Sequence, residues 1–359
     1  MKVSHVTSYP PWKGGIADYA HMLVEELEGM DNEIISFKKA EGKNIDPLMD
    51  KSDRSSFIQA AKNAFSGDPD IVHVQHELNL YGRLNFLFMA LKMLQLKRKS
   101  DTKVVTTMHT YIDYEFSLKP KKLLRYLGYK QLTYRLIYML SDKIIVHNDV
   151  LKEEMGRKNV EVIPHGVKKI ECGDDIREEY GLSHEDEFLL CTGFLSEVKG
   201  FEYAVKAIEL LPENYKLLVI GSTPPNFEEM GKAYKESLEE IVEEKNLQDQ
   251  VEIREEFVPE EKLDKLICSA DLNLFPYVES SQSGMMHRAI GAGKNIICSD
   301  LEVFRSVLGE SGTYFEPENP EDLADKIRNY TDNKEIGRLR EELSWEKVAD
   351  KHEEVYKKL

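Results

Sequence analysis

Short apolar runs rich in β-branched residues alternate along this chain with longer stretches of helical periodicity, and they do so in two successive series. A strand followed by a helix and then another strand returns to its sheet only through a crossover. The alternation therefore restricts the fold to parallel sheets flanked by helices. In the first series the strand candidates are Val3 to Val6, Glu33 to Phe37, Ile71 to Val74, Lys103 to Met108, Lys143 to Val146 and Val160 to Ile163. In the second they are Phe188 to Thr192, Lys216 to Ile220, Val251 to Arg254, Leu272 to Phe275, Asn295 to Ser299 and Thr313 to Phe315. Each series can build one doubly wound sheet, and 359 residues suit two α/β domains better than one core. Pro164-His165-Gly166-Val167 closes the first series, the polar stretch Lys168 to Asp175 reads as a linker, and after Pro320 the chain is helical to its end.

Two glycine-bearing turns are each placed to open a helix. Pro10-Pro11-Trp12-Lys13-Gly14-Gly15 follows the first strand and precedes the stripe Ala17, Ala20, Leu23, Val24 and Leu27. Gln282-Ser283-Gly284-Met285 follows Leu272 to Phe275 and precedes a helix that closes at Gly291-Ala292-Gly293-Lys294. Glycine lets the backbone pass close to an anion, and a helix N-terminus offers unpaired N–H groups and partial positive charge. Two such turns in two domains point to a phosphorylated ligand.

Ligands of such sheets bind beyond the carboxyl ends of the strands, so the polar residues there are the candidates for chemistry. His73, Gln75 and Glu77 share one strand face by the period of two and His76 faces the other way, which makes a poor metal cage. Core packing suits His73; Gln75, His76 and Glu77 stand where a sugar or acceptor could be met. His109, followed by Thr110 and Tyr111, sits where an apolar strand turns polar, and both a loop-capping role and donation to a ligand remain open. Lys199 lies between a tight strand exit and the mouth of the next helix, where its charge opposes the helix dipole and calls for an anion.

The formal net charge of −17 is unevenly spread. Met1 to His165 carry 24 Lys+Arg against 21 Asp+Glu, and the remainder 24 against 44. So acidic a chain is a poor nucleic-acid binder. The richest basic segment, Ser117 to Leu140, interleaves Lys119, Lys121, Lys122, Arg125, Lys130 and Arg135 with four tyrosines and holds no acidic residue. Two readings stay open for it: a solvated helix face, or a surface for an anionic membrane or acceptor. Cys172, Cys191, Cys268 and Cys298 are scattered, and the expectation is four reduced, buried thiols with neither zinc nor disulfide. No run of 18 apolar residues occurs and the N-terminus enters directly into a strand, so the expected location is the cytoplasm, with peripheral attachment to the inner membrane face open.

In order along the chain, Gly14-Gly15, the strand Val72 to Glu77, Thr107-Met108-His109-Thr110, Ile163-Pro164-His165-Gly166-Val167, Gly193 through Lys199-Gly200, and Ala289 through Gly293-Lys294 form a pattern that resembles the retaining glycosyltransferases of family 4. The similarity runs the whole length, including Ser344 to Val348. It implies the GT-B fold: two Rossmann-like domains, 1–167 on the acceptor side and 168–335 for the nucleotide sugar, facing across a cleft. The helix 336–359 would cross back to the first domain. It further implies transfer of a hexose from a nucleotide-diphosphate sugar with retention of configuration. Neither cofactor nor metal is expected, the cationic groups and helix N-terminus taking the electrostatic role of a metal.

Residue by residue, the resemblance gives Gly14 and Gly15 the donor diphosphate, His109 the transferred sugar and Lys199 the leaving diphosphate. Gly193 and Phe194 belong to the donor loop, Glu256, Phe257 and Val258 border the base, and Ser283, Gly284 and Met285 present backbone amides to phosphate. Glu279 is the candidate catalytic carboxylate, with His287 and Arg288 beside the donor, and Gln75, His76, Glu77 and Tyr111 form the acceptor side. Two departures stand out: Phe194 occupies the place of the family's arginine, and Ser280 and Arg288 fall on its paired glutamates when aligned on Gly293-Lys294. The competing readings are an epimerase or phosphorylase on the same architecture and a non-catalytic sugar-nucleotide-binding scaffold.

Overall fold

The computed structural model describes residues 1–12, 14–77, 80–111, 119, 121, 126–223, 228–280, 283–332 and 334–359. It divides into two compact units, Met1–Gly166 with Trp345–Leu359, and Val167–Ser344.

Unit 1 is built on a seven-stranded parallel sheet of β1 (Lys2–Val6), β2 (Asp31–Phe37), β3 (Ile45–Met49), β4 (Ile71–His76), β5 (Lys103–Met108), β6 (Lys143–Val146) and β7 (Val160–Val162), in the order β3-β2-β1-β4-β5-β6-β7. Helices on both faces leave its strands buried, and all six residues of β4 are inaccessible. Local chemistry sets the helix starts. Asp53 accepts from Ser55 N at the head of Arg54–Ala64, and Asn148 accepts from Leu151 N at the head of Asp149–Met155, which Gly156 ends in the left-handed conformation.

Unit 2 repeats the plan with β8 (Glu187–Thr192), β9 (Tyr215–Gly221), β10 (Val251–Glu255), β11 (Leu272–Phe275), β12 (Ile296–Ser299) and β13 (Thr313–Phe315), in the order β10-β9-β8-β11-β12-β13. Both sheets are thus doubly wound, as the alternation of the sequence requires.

Four expectations change. Strand β3 was absent from the candidates because Asp46 and Pro47 interrupt its alternation. Proline is tolerated there because the strand is the sheet's edge, where the register with β2 also shifts between Ser36 and Phe37. The stretch Lys168 to Asp175 is no free linker: Ile170 is buried and donates its N–H to the Gly291 carbonyl, and Lys169 pairs with Glu341 at 2.6 Å.

The segment that returns to unit 1 begins at Trp345, not at 336. Helix Glu335–Glu342 buries Ile336 in the core of unit 2, and only Trp345–Lys357 packs on unit 1, with Trp345, Val348, Ala349, Val355 and Tyr356 in its core. Finally, Cys172 and Cys268 form a disulfide that pins the segment after residue 167 to the helix Glu260–Ser269, while Cys191 and Cys298 are buried free thiols. Scattered spacing gave no sign of this pair, because 96 residues separate cysteines that only the folded chain brings together.

Protein denatured without reductant should therefore titrate two thiols, those of Cys191 and Cys298, and all four after reduction. Four thiols before reduction would disprove the pairing. Cys172→Ser with Cys268→Ser should cost up to about 4 kcal/mol, since the bridge closes a long loop in the unfolded chain.

Candidate functional site

In unit 2 the order of connection reverses between β8 and β11, which are hydrogen-bonded neighbours. The chain leaves these two strand ends in opposite directions and opens a crevice, the standard place for a ligand in such a sheet. A pocket of about 290 Å³ lies there. Its walls come from the ends of β8 (Thr192, Gly193, Phe194), β9 (Ile220 to Ser222) and β10 (Glu256 to Val258), and from Tyr277, Ser283, Gly284 and Met285 beyond β11. Gly221, Ser222 and Tyr277 are among the polar residues beyond strand ends that the sequence singles out, whereas apolar Ile220 and Leu263 carry no signal in the sequence.

The strand exits are tightly constrained. Gly193 has φ +137°, and a Cβ on Gly221 would fall 1.6 Å from the Gly193 carbonyl oxygen, so the ends of β8 and β9 close on each other only as glycines. After β8 the chain makes a short turn over Glu197–Lys199 and passes Gly200, where a Cβ would lie 2.0 Å from the Pro276 carbonyl oxygen. That contact holds the lysine turn against the segment following β11.

Lys199 extends into the pocket with Nζ 3.7 Å from the centre of the Tyr277 ring. Among the described residues no carboxylate reaches ion-pair distance of it, and burial lowers its pKa to about 8. The opposite wall is the start of helix Gly284–Gly291. Ser283 caps it, accepting from Met286 N at 3.2 Å and exchanging a hydrogen bond with the Tyr277 hydroxyl at 3.1 Å. The first N–H groups of that helix have no intrahelical partner. A desolvated cation and a helix N-terminus facing one small cavity can bind an anion, and phosphate suits both.

Phe194 and Phe257 also line the pocket, 48% and 78% exposed. His287 and Arg288 do not. The His287 ring is buried with Nδ1 2.7 Å from the Ser283 carbonyl oxygen. Arg288 is committed to helix Glu260–Ser269, pairing with Asp264 and, at 2.9 Å, with Glu260. Glu279 is exposed and borders a different recess of unit 2, beside Glu197, Glu202 and Tyr234. Among the described residues lining the pocket, Glu256 is the carboxylate.

In unit 1, Gly14 and Gly15 are exposed at the head of helix Gly15–Glu26, with open space where a side chain would project. His109 is held on both sides. His147 Nδ1 lies 3.1 Å from the Ile163 carbonyl oxygen, and its Nε2 lies 3.1 Å from His109 Nδ1. On its other side His109 Nε2 lies 2.8 Å from Gln75 Oε1. Burial, then the neighbouring His147, His165, His76 and His352, hold its pKa well below the ordinary value, so the ring is neutral.

Gln75 and His76 are buried instead of being offered to an acceptor. Gln75 belongs to this chain of hydrogen bonds, and His76 packs on Phe86 at 4.5 Å with its pKa lowered to about 3 by burial. Glu77 and Tyr111 keep partial exposure, Tyr111 beside Tyr134 at 4.8 Å. His73, expected in the core, is there, bonded to Thr107 and to Tyr356 of the last helix, both at 2.7 Å. Of the basic segment, Lys122 and Arg125 lie outside the described residues. Among the described residues no group of three His, Cys, Asp or Glu is placed to hold a metal ion, and no helix is long and apolar enough to cross a membrane.

Residues 13–169 match the family model described as Glycosyltransferase Family 4, and residues 173–347 that described as glycosyl transferases group 1. An uncharacterized glycosyltransferase of Methanocaldococcus jannaschii is 25% identical over 244 residues, a match spanning 60% of this chain and 60% of the relative. Among solved structures, Anabaena HepE in complex with UDP superposes with a TM-score of 0.75 over all of both chains at 13% identity. Sucrose-phosphate synthase from Thermosynechococcus elongatus gives 0.70 over 99% of this chain and 98% of its own at 17% identity. At these identities the two structures speak for the fold alone.

Because the folded pKa of Lys199 lies below its unfolded value, the half-buried ammonium opposes folding at neutral pH, and stability rises as pH climbs from about 8 toward the unfolded value. Lys199→Met should therefore raise the melting temperature of the ligand-free protein at neutral pH, with the advantage shrinking above pH about 8. A variant less stable than the parent would show the ammonium to be well solvated or paired.

Proposed function

We propose that this chain is a GT-B glycosyltransferase, its first half matching one glycosyltransferase family model and its second half another, and that it transfers a hexose from a nucleotide-diphosphate sugar to a carbohydrate or lipid-linked acceptor, with retention of configuration and without a metal ion. The observation that carries the reading is Lys199, a desolvated cation without a carboxylate partner among the described residues, set in the switch-point pocket beside a capped helix N-terminus. HepE was solved with UDP, with UDP and glucose, and with UDP-glucose, which supports a nucleotide sugar as donor.

The chemistry follows from where charge develops. As the bond between the anomeric carbon and the diphosphate breaks, negative charge grows on the leaving oxygen. Lys199 and the first amides of Gly284–Gly291 are preorganised to receive it. The acceptor oxygen bonds the anomeric carbon on the face the diphosphate leaves, and its proton passes to a phosphate oxygen, so configuration is kept and no protein base is consumed. The anion also raises the Lys199 pKa back toward its ordinary value, so donor binding takes up a proton above pH about 8. Glu256 and Phe257 at the end of β10 border the base in this reading, and His109 meets the sugar as a neutral imidazole.

Phe194, in the place of the family's arginine, leaves Lys199 as the cation among the described residues lining the pocket. A scaffold that binds the donor without turnover is the second reading. It draws on Phe194 and on Arg288, whose guanidinium is spent on Asp264 and Glu260.

Lys199→Ala should lower the transfer rate on the order of a hundredfold, about 3 kcal/mol of transition-state stabilisation, with the fold intact. Near-parental turnover by this variant would remove Lys199 from the mechanism. Donor binding without sugar transfer or hydrolysis by the parent would leave the scaffold reading standing. Transfer should also persist in excess EDTA; loss with rescue by Mg²⁺ or Mn²⁺ would overturn the metal-free electrostatics.

A further inference from the structure

The helix Arg83–Lys97 of unit 1 is apolar on every side, with ten Leu, Phe, Met or Ala among its 15 residues. A surface helix normally confines such residues to the stripe that meets the core. Phe86, Met89, Ala90 and Met93 form that stripe and are buried. Away from it, Leu84, Phe88 and Leu91 stand at the i, i+4 and i+7 positions of one face, 51%, 37% and 47% exposed.

The neighbouring helix Tyr134–Leu140 is joined to this one where Lys97 Nζ donates to the Leu140 carbonyl at 2.7 Å, and it exposes Met139. Leu132 and Leu127, just before it, are exposed as well. Single exposed leucines are ordinary, but a row of large apolar side chains on adjoining helical segments is the mark of a surface that something covers.

Charge says what. Residues 81–140 hold 12 Lys and Arg against 3 Asp and Glu, in a chain whose net charge is −17. Arg98 and Lys99, which follow the helix directly, and Arg135 of the neighbouring helix are exposed, as is Lys121, and the Arg54 guanidinium lies 4.8 Å over the Phe88 ring. We propose that this face of unit 1 docks on an anionic lipid bilayer, with Leu84, Phe88 and Leu91 seated among the acyl chains and the cations at the headgroups.

An apolar face fringed by Lys and Arg is the composition of a segment that lies in the interface, and no described helix is built to span it. A second copy of the chain fits less well, because a two-fold interface would set this excess of positive charge against itself. The inference is independent of the transfer chemistry, since docking is measured without donor or turnover.

The test is flotation of the full chain with vesicles of phosphatidylcholine, with and without phosphatidylglycerol, at low and high salt. The parent should float with phosphatidylglycerol vesicles at low salt and stay behind with phosphatidylcholine alone. Combining Leu84→Gln, Phe88→Gln and Leu91→Gln should weaken partitioning roughly a hundredfold, with the melting temperature and UDP binding unchanged. Combining Arg98→Gln, Lys99→Gln and Arg135→Gln should weaken it less and flatten its salt dependence. A parent that binds neither vesicle, or a triple-glutamine variant that binds as the parent does, overturns the proposal. So does a parent that ignores vesicles but forms a dimer which the glutamine variant abolishes, because the face would then serve a second copy.

Discussion

Parallel pairing of β8 with β11 is the constraint on which the candidate site depends. Neither strand can reach the other through a hairpin, and the connections out of them run to opposite sides, so their carboxyl ends cannot be bridged by a common loop. Everything that gives the pocket its character hangs on that gap. Gly193 and Gly221 let β8 and β9 close on one side of it. The Gly200 turn then sets Lys199 against Tyr277, and Tyr277 in turn holds the Ser283 cap at the helix opposite. A partly desolvated cation with no carboxylate partner among the described residues weakens a fold, and its place beside unpaired amides suits an anion as the ligand.

Unit 1 uses its polar core differently. His5, His73, His109, His147 and His352 are buried or nearly so, and His73, His109, His147 and His352 take part in a run of hydrogen bonds among Gln75, Thr107, Tyr19 and Tyr356. Neutral rings are required for such packing, and burial lowers the pKa of His5 to about 4 and that of His352 to about 3. The C-terminal helix is fastened through this layer as well as by apolar contact. Tyr19 donates to His352 at 3.1 Å and packs edge-on against Trp345, while Tyr356 bonds His73. Two residues far apart in sequence thus fix the helix more specifically than apolar burial alone, because a satisfied buried hydrogen bond tolerates little displacement.

Electrostatics separates the two units in the same sense as their sequences do. Positive excess gathers in the stretch that also exposes large apolar side chains, while the second half of the chain carries the acidic surplus. That segregation has no role in holding either fold together, since exposed charge contributes little to stability. Its effect lies in what each surface repels and attracts.

The sequence by itself determined the positions of every strand but β3, the parallel character of both sheets, the two glycine turns and the placement of Lys199 at a strand exit, because periodicity, turn chemistry and strand-to-helix transitions are written over a few consecutive residues. Chain order alone did not say which strands would be neighbours, and so left open where the switch point and its pocket would fall. The same limit explains the other changes: Arg288 was drawn to Asp264 and Glu260, Gln75 and His76 were enclosed, Cys172 met Cys268, and the broken pattern of β3 found an edge. Each of these depends on partners distant along the chain, whose meeting is decided by how all the layers pack at once, and only the tertiary structure could decide it.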